Sequence, residues 1–295
     1  MIYASLKAIG RCCPDHWRPF FRTAFHARSF RTARILHTER HFETTVKLPG
    51  FPGTFGLRTG TSDAEFVRML ANGYDFPEYR IPVPVNPQVI LDFGANIGAS
   101  AILFARRYPQ AQIFAFEPRP DNVAFLEKNV AAYENITVVP YGVGRRTEEL
   151  DYYFSCLPSS NTGGFYNDGS LSWATDGPHS EVMKLPVLAV DEAFERYGIT
   201  RADIIKIDCE GAEFDILESI PESVLDTVKV IVGEFHGTHN DDIKAFLERQ
   251  FKVNWEQTHE RSAEPDGGGI GVFQAVRKTH EAKANCCGSC ELVGV

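Results

Sequence analysis

From Gln88 to Arg277 the chain alternates short apolar runs with amphipathic stretches. Val89–Phe93, Gln112–Phe116, Ile136–Val139, Ile204–Ile207 and Val228–Val232 hold few polar residues, the pattern of parallel strands covered on both faces. Ala99–Arg107, Pro120–Tyr133, a segment opening near Ala212, and Asp242–Gln250 carry helical spacing. Phe251–Gln257 and Gly271–Arg277 alternate and pair as antiparallel strands at one edge. The pattern predicts an α/β fold: a doubly wound, mostly parallel sheet with helices on both faces and an antiparallel edge strand. Such sheets bind ligands at the carboxyl ends of their strands, where strand order reverses.

Upstream, His41–Leu48 and Thr54–Arg58 read as a hairpin joined by the turn Pro49–Gly53. Thr61-Ser62-Asp63 caps a helix over AEFVRMLANG, and 81–87 (IPVPVNP) is extended. The stretch 155–180 is rich in Ser, Gly, Asn and Pro; it reads either as a lid that contributes to an acceptor pocket or as a surface insertion. Four segments follow: a basic helical arm at 1–40, the hairpin and helix lead-in at 41–87, the main domain at 88–280, and a cysteine-containing tail at 281–295.

Composition narrows the classes. The 295 residues are 43% hydrophobic and 23% charged, which is globular. No uninterrupted apolar run is long enough to span a bilayer. The net charge of −9 argues against nucleic acid as a partner. Seven cysteines are an odd number and form no disulfide framework, and no secretory h-region opens the chain. The expected compartment is therefore cytoplasmic. Cys286, Cys287 and Cys290 supply one C-x-x-C, fewer ligands than structural zinc takes. Residues 1–40 carry eight Lys/Arg against Asp15 and Glu39, so this arm is +6 and the remainder −15. With Trp17, Phe20, Phe21, Phe25 and Phe30 interleaved, the arm either packs on its own domain or a second subunit, or makes peripheral contact with an anionic membrane. Pro14 and Pro19 argue for packing, because they interrupt a long amphipathic face.

The candidate ligand site begins where the first parallel strand ends. Asp92-Phe93-Gly94-Ala95-Asn96-Ile97-Gly98 leads into a helix; Gly94 permits a tight turn and close approach by a ligand, and Gly98 lets the helix start against the sheet. Glu117, 23 residues after Gly94, ends the next strand, where an acid accepts hydrogen bonds from ribose hydroxyls. The loop is G-x-x-x-G and not G-x-G-x-x-G. A pyrophosphate turn is incomplete, and a nucleoside without phosphates, S-adenosylmethionine, suits it better, with Asp92 near the amino-acid end.

ILDFGANIGASAILFARRYP, IFAFEPRPDNVAFLEKNV and DIIKIDCEGAEFDIL together resemble the FkbM-type methyltransferases over roughly residues 54–277. The third motif is the most specific. The resemblance implies a Rossmann-like class I methyltransferase fold, S-adenosylmethionine as donor, and O-methylation of a small molecule or glycan. It implies donor binding by Asp92, Gly94, Asn96, Gly98 and Glu117, with Ala95, Pro118 and Gly142 beside them. After the third strand the chain has Tyr141-Gly142-Val143-Gly144, with no acid for adenine, so packing and backbone hold the base.

Methyl transfer to a hydroxyl needs a positioned acceptor and a group that takes its proton. Lys206, Asp208 and Glu210 alternate at the end of the fourth strand, and Glu234 and His236 at the end of the fifth. His236, with an ordinary pKa near neutrality, is the expected base; Asp208 and Glu210 complete the catalytic set. Alternatively Asp208 and Glu234, with His236, hold a divalent cation such as Mg²⁺. Glu213 reads as a first-turn helix acid, Cys209 as core. Two other functions compete: a nicotinamide-dependent oxidoreductase, disfavoured by the loop, and a non-catalytic adaptor on the same fold.

Overall fold

A computed structural model describes residues 15–72, 79–155, 163–165, 180–237, 239–260 and 269–278. The tail cysteines, the first 14 residues and most of 156–179 lie outside these. A 3-10 turn at Asp15–Trp17 leads into α1 (Arg18–His26) and α2 (Phe30–Leu36). Pro19 does not interrupt the arm, because it sits in the first turn of α1, where no backbone N–H is needed. The inner residues Thr23, Ala24, Ala27, Thr32, Ala33 and Leu36 are buried, and both helices contact α3 (Ser62–Ala71). The hairpin is present: β1 (Glu43–Val46) pairs antiparallel with β2 (Phe55–Arg58). The Thr61 hydroxyl caps α3 by accepting from Asp63 N.

The main domain follows as β3 (Val89–Phe93), α4 (Ala99–Arg107), β4 (Gln112–Phe116), α5 (Pro120–Val130) and β5 (Ile136–Val139). Then come β6 (Gly142–Gly144), β7 (Glu148–Ser155), β8 (Gly163–Gly164), β9 (Ser180–Ala189) and α6 (Val190–Tyr197). The chain continues through β10 (Ile204–Ile207), α7 (Glu213–Ser219), α8 (Glu222–Leu225), β11 (Val230–Gly237), α9 (Asn240–Glu248), β12 (Phe251–Glu260) and β13 (Gly269–Arg277). The central sheet has the order β12-β13-β11-β10-β3-β4-β5, parallel from β11 to β5 and antiparallel across β11-β13-β12. Strand order reverses between β3 and β10, which puts the crevice above their carboxyl ends.

Strand alternation fills two layers. Ile90, Ile113, Ile204 and Val230 meet α3, α4 and α5 on one face. Leu91, Phe93, Ile205, Ile207 and Ile231 meet α6, α7, α8 and α9 on the other. The fold is the expected Rossmann-like one. Asn129 of α5 docks the hairpin by exchanging hydrogen bonds with Gly56, 2.6 Å from its N–H and 3.0 Å to its carbonyl.

The surprise is a second sheet, β6-β9-β7-β8. Its strands β7 and β9 frame the segment read as a loop, pairing Ser155 with Ser180. Leu150, Tyr152 and Phe154 alternate with polar residues, so the pattern was present but short. Tyr152, Phe154 and Leu185 form a small core with Phe165 and Met183. Among the described residues, no helix is long and apolar enough to cross a membrane.

Candidate active site

A cavity of about 260 Å³ opens at the crevice. At one end, the chain leaves β3 through Gly94 (φ 80°), Asn96 (φ 48°) and Gly98 (φ 91°). The amides of Gly94 and Ala95 donate to Phe116 O at 3.1 and 2.9 Å. Asn96 N donates to Glu117 Oε2 at 2.9 Å. These amides thus clamp the loop to β4 and do not form an anion nest. A Cβ on Gly94 would stand 1.9 Å from the Asp208 carbonyl oxygen, so the neighbouring chain demands this glycine, not the close approach of a ligand. At Gly98 a Cβ would meet Leu126 at 2.8 Å, so the glycine lets the helix start close against α5, not only against the sheet as expected.

Glu117 is buried in the cavity wall. Its Oε1 accepts from Arg119 N at 3.0 Å and Asn122 Nδ2 at 3.2 Å. Burial pushes its carboxyl above the ordinary range against these hydrogen bonds. A carboxylate has about four lone-pair sites, so with three donors taken one remains for a ligand. Ala95, Asn96, Pro118, Tyr141, Gly142 and Phe165 line the same end. The Asn96 Oδ1 is buried with no hydrogen-bond partner among the described residues. Gly142 is demanded by Phe165, whose ring would lie 2.8 Å from a Cβ there.

Asp92 does not reach this cavity; it is fully buried behind the loop and is not among the described residues that line it. Its Oδ2 accepts from Ser100 Oγ at 2.6 Å, and its Oδ1 lies 3.2 Å from Lys206 Nζ. Lys206 Nζ donates to Phe93 O at 3.1 Å and Gly94 O at 2.7 Å. Burial alone would lower the Lys206 pKa, but Asp92 and Asp208 outweigh it and the pKa is raised. The Asp92–Lys206 pair is therefore a scaffold for the loop.

At the other end, β11 continues past β10, whose last residue Ile207 pairs with Gly233. Glu234 and His236 stand on this extension, two residues apart and hence on one face. The Tyr79 hydroxyl donates to Asp208 Oδ2 at 2.5 Å. Strand parity ends at Ile207, and a left-handed turn at Glu210 (φ 52°) and Gly211 (φ 106°) brings Glu210 to His236. Glu213 fixes this turn, accepting from Cys209 N at 2.9 Å and Gly211 N at 3.0 Å. Glu213 is fully buried and lies 3.0 Å from His236 Nδ1. His236 Nε2 is 3.5 Å from Glu234 Oε2 and 3.7 Å from Glu210 Oε2.

The structure thus brings Asp208, Glu210, Glu234 and His236 together, and the charges among them bear on which could take a proton. Burial alone would lower the His236 pKa; Glu210 and Glu213 outweigh it and hold the imidazolium well above its ordinary pKa. Glu210 and Glu213 thus favour the protonated ring, a form with no lone pair with which to take a proton, and His236 is not among the described residues lining the cavity. Glu210 does line it, and burial, opposed by the His236 charge, pushes its carboxyl up to about 7. Burial likewise raises Glu234. Cys209, read as core, packs there and also lines the cavity. Asp208, Glu234 and His236 each bring one ligand atom within 4.8 Å of the others, a spacing compatible with a cation. Sequence reading missed Tyr79, Phe165 and the double role of Glu213; only Glu213 had a local signal, its place in the D-C-E-G-A-E run.

Residues 92–260 match the model of the methyltransferase FkbM domain. The methyltransferase sdnD of Sordaria araneosa is 29% identical over 52% of this chain and 67% of its own. The hexuronic acid methyltransferase AglP of Haloferax volcanii is 26% identical over 54% of this chain and 61% of its own. The 2-O-methyltransferase NoeI of Sinorhizobium fredii is 24% identical over 58% of this chain and 70% of its own.

Proposed function

The chain belongs to the FkbM methyltransferase family, and from that premise we propose that it transfers a methyl group from S-adenosylmethionine to a hydroxyl of a small molecule or glycan. One observation carries the reading: a single cavity is lined by both the ribose-type acid Glu117 and Glu210. The relatives named for a hexuronic acid and for 2-O-methylation support the acceptor class. The donor, when bound, supplies an electrophilic methyl group on a sulfonium. Glu117 and Asn96 hold its ribose end, Ala95 and Pro118 pack beside it, and Gly142 with Tyr141 and Phe165 encloses the base. Asp208, held by Tyr79, orients the acceptor. Glu210 takes the proton from the acceptor oxygen; a carboxyl near neutrality is suited to that task. His236, pinned by Glu213, positions Glu210 and stabilises its ionised form.

Titration with S-adenosylmethionine, S-adenosylhomocysteine and NAD tests the donor. Binding of NAD alone overturns the reading in favour of an oxidoreductase. The loop amides turned toward β4 argue against that outcome, since a pyrophosphate needs them. Labelled-methyl transfer to a panel of hydroxyl compounds tests the reaction; donor binding with no transfer to any hydroxyl would favour an adaptor.

The 4.8 Å spacing of Asp208, Glu234 and His236 favours a second reading, in which a divalent cation lowers the acceptor's pKa. In that reading the cation has to displace the proton that Glu210 and Glu213 favour on His236, so its binding should weaken at low pH. Activity abolished by chelator and restored by Mg²⁺ would establish this second reading.

A further inference from the structure

The α1–α2 arm contributes nothing to the cavity, yet its outward surface is unusual. Trp17 is 48% exposed and Phe30 45%, two of the four large apolar side chains that stand most open among the described residues. They do not stand singly. Trp17 packs on Phe20 and Phe21 with ring centroids 5.8 and 6.4 Å apart, and Phe30 lies 6.4 and 6.5 Å from the same two rings. One continuous aromatic cluster therefore spans both helices.

Helical period sorts the rest. Thr23, Ala24 and Ala27 take the inner side of the first helix and its end, which turns Arg18, Phe21, Arg22 and Phe25 outward. Thr32, Ala33 and Leu36 take the inner side of the second, which turns Phe30, Arg31 and Arg34 outward. Arg18, Arg22, Arg31 and Arg34 are all exposed. Within 15–40 the only acids are Asp15 and Glu39, while the chain as a whole is −9. The aromatic rings are thus ringed by cations on a protein that is otherwise acidic.

We infer that this face docks the protein on an anionic phospholipid surface, with Trp17, Phe21 and Phe30 entering the headgroup boundary over Phe20, which packs inward on His37, and the arginines meeting lipid phosphates. Nucleic acid fits less well, because stacking needs separated ring faces along a groove. Here the Phe21 and Phe30 rings meet edge-on at 89°, which presents an apolar wedge and not a row of platforms. A second copy docking through its acidic body would use the charge but leave the aromatic wedge without a purpose.

The test is co-sedimentation of the full chain with phosphatidylcholine vesicles, with and without phosphatidylserine, at low and high salt. Binding should require phosphatidylserine and weaken as salt screens the charges. Arg31→Gln with Arg34→Gln should weaken it roughly tenfold or more. Trp17→Ala with Phe30→Ala should weaken binding at both salt concentrations while S-adenosylhomocysteine affinity stays at the wild-type value, with a modest fall in melting temperature from the lost ring contacts. No phosphatidylserine-dependent binding by the wild-type chain overturns the inference. Equal binding by both double variants does so too, as does a fluorescence-polarisation signal for single-stranded RNA, or dimerisation in light scattering, that the same substitutions abolish while vesicle binding persists. None of these outcomes depends on methyl transfer, so failure here leaves the enzymatic reading intact.

Discussion

The two ends of the cavity are built by different means. At the Glu117 end, backbone does most of the work: three positive-φ residues and amides aimed at Phe116 and Glu117 fix the wall. At the Glu210 end, side-chain charge does it. Asp208, Glu210, Glu213 and Glu234 crowd Lys206 and His236, and each changes the protonation of its neighbours. Backbone geometry follows from residue type and spacing. Coupled charges depend on distances of a few ångströms that no spacing encodes. The first end should therefore tolerate charge-conserving changes and fail to steric ones, and the second the reverse.

The largest expected effect is at the charged end. Glu210→Gln keeps volume and hydrogen bonding but removes the base, and turnover should fall by about 10²–10⁴ with donor affinity unchanged. In the wild type, activity should be low below pH 7 and rise through about 7 as Glu210 ionises. His236 sharpens the comparison. Its positive charge holds the Glu210 pKa down, so His236→Gln should move this rise to higher pH. If the rise vanished in His236→Gln and survived in Glu210→Gln, His236 would be the base after all.

Next is a steric change at the backbone end. Gly94→Ala places a methyl against the Asp208 carbonyl, in a left-handed conformation. The loss of stability should be about 3 kcal/mol, read by urea denaturation. A loss below about 0.5 kcal/mol, the range of neutral surface changes, would mean that the loop yields easily and is not a rigid element.

A smaller effect is expected from Glu117→Ala. Donor affinity should weaken by roughly 1.5–3 kcal/mol, the usual value of hydrogen bonds to a charged group. The same variant releases Asn96 N, Arg119 N and Asn122, so the melting temperature must be followed beside the titration. Unchanged affinity in a folded variant would remove Glu117 from the ribose site.

Much of the fold is legible in the sequence, for a physical reason. The parallel strands carry apolar runs because both faces are buried, so β3, β4, β5 and β10 fall where the pattern puts them. Strand β11 begins two residues later than its apolar run and extends five further, since its end pairs with β13 and not with β10. That extension carries Glu234 and His236. The second sheet is hidden because β7 and β9 are separated by a long polar segment and their alternation is short. Glu210 reaches the site for a reason parity does not contain: a left-handed turn that Glu213 caps. For Asp92 the sequence pattern does not decide its side of the loop, because burial behind it and exposure in front of it look alike there.

The smallest effect concerns the segment 155–180, expected to serve the acceptor. Among its described residues, Gly163, Gly164 and Phe165 line the cavity, and Phe165 stands beside Gly142, next to the residues proposed to enclose the donor's base. Phe165 meets Tyr152 edge-on at 5.1 Å, and the Tyr152 hydroxyl donates to Gly163 O at 2.7 Å. Under the proposed function, a ring held this way packs on the donor's base. Phe165→Ala should weaken S-adenosylhomocysteine binding by roughly tenfold, or about 1.4 kcal/mol, and leave the acceptor's KM in place. Tyr152→Phe should cost less, because it removes one hydrogen bond and keeps the ring. Gly142→Ala adds the control that separates a wall from a general loss of folding. Alone, it drives a Cβ into the Phe165 ring and should weaken donor binding. Combined with Phe165→Ala the closer contacts are gone and only Val187 Cγ2, 3.1 Å away, remains, so the two losses should fall short of adding. Additive losses would mean that Phe165 and Gly142 act apart; an acceptor KM that rises while donor affinity holds would return the segment to the acceptor side.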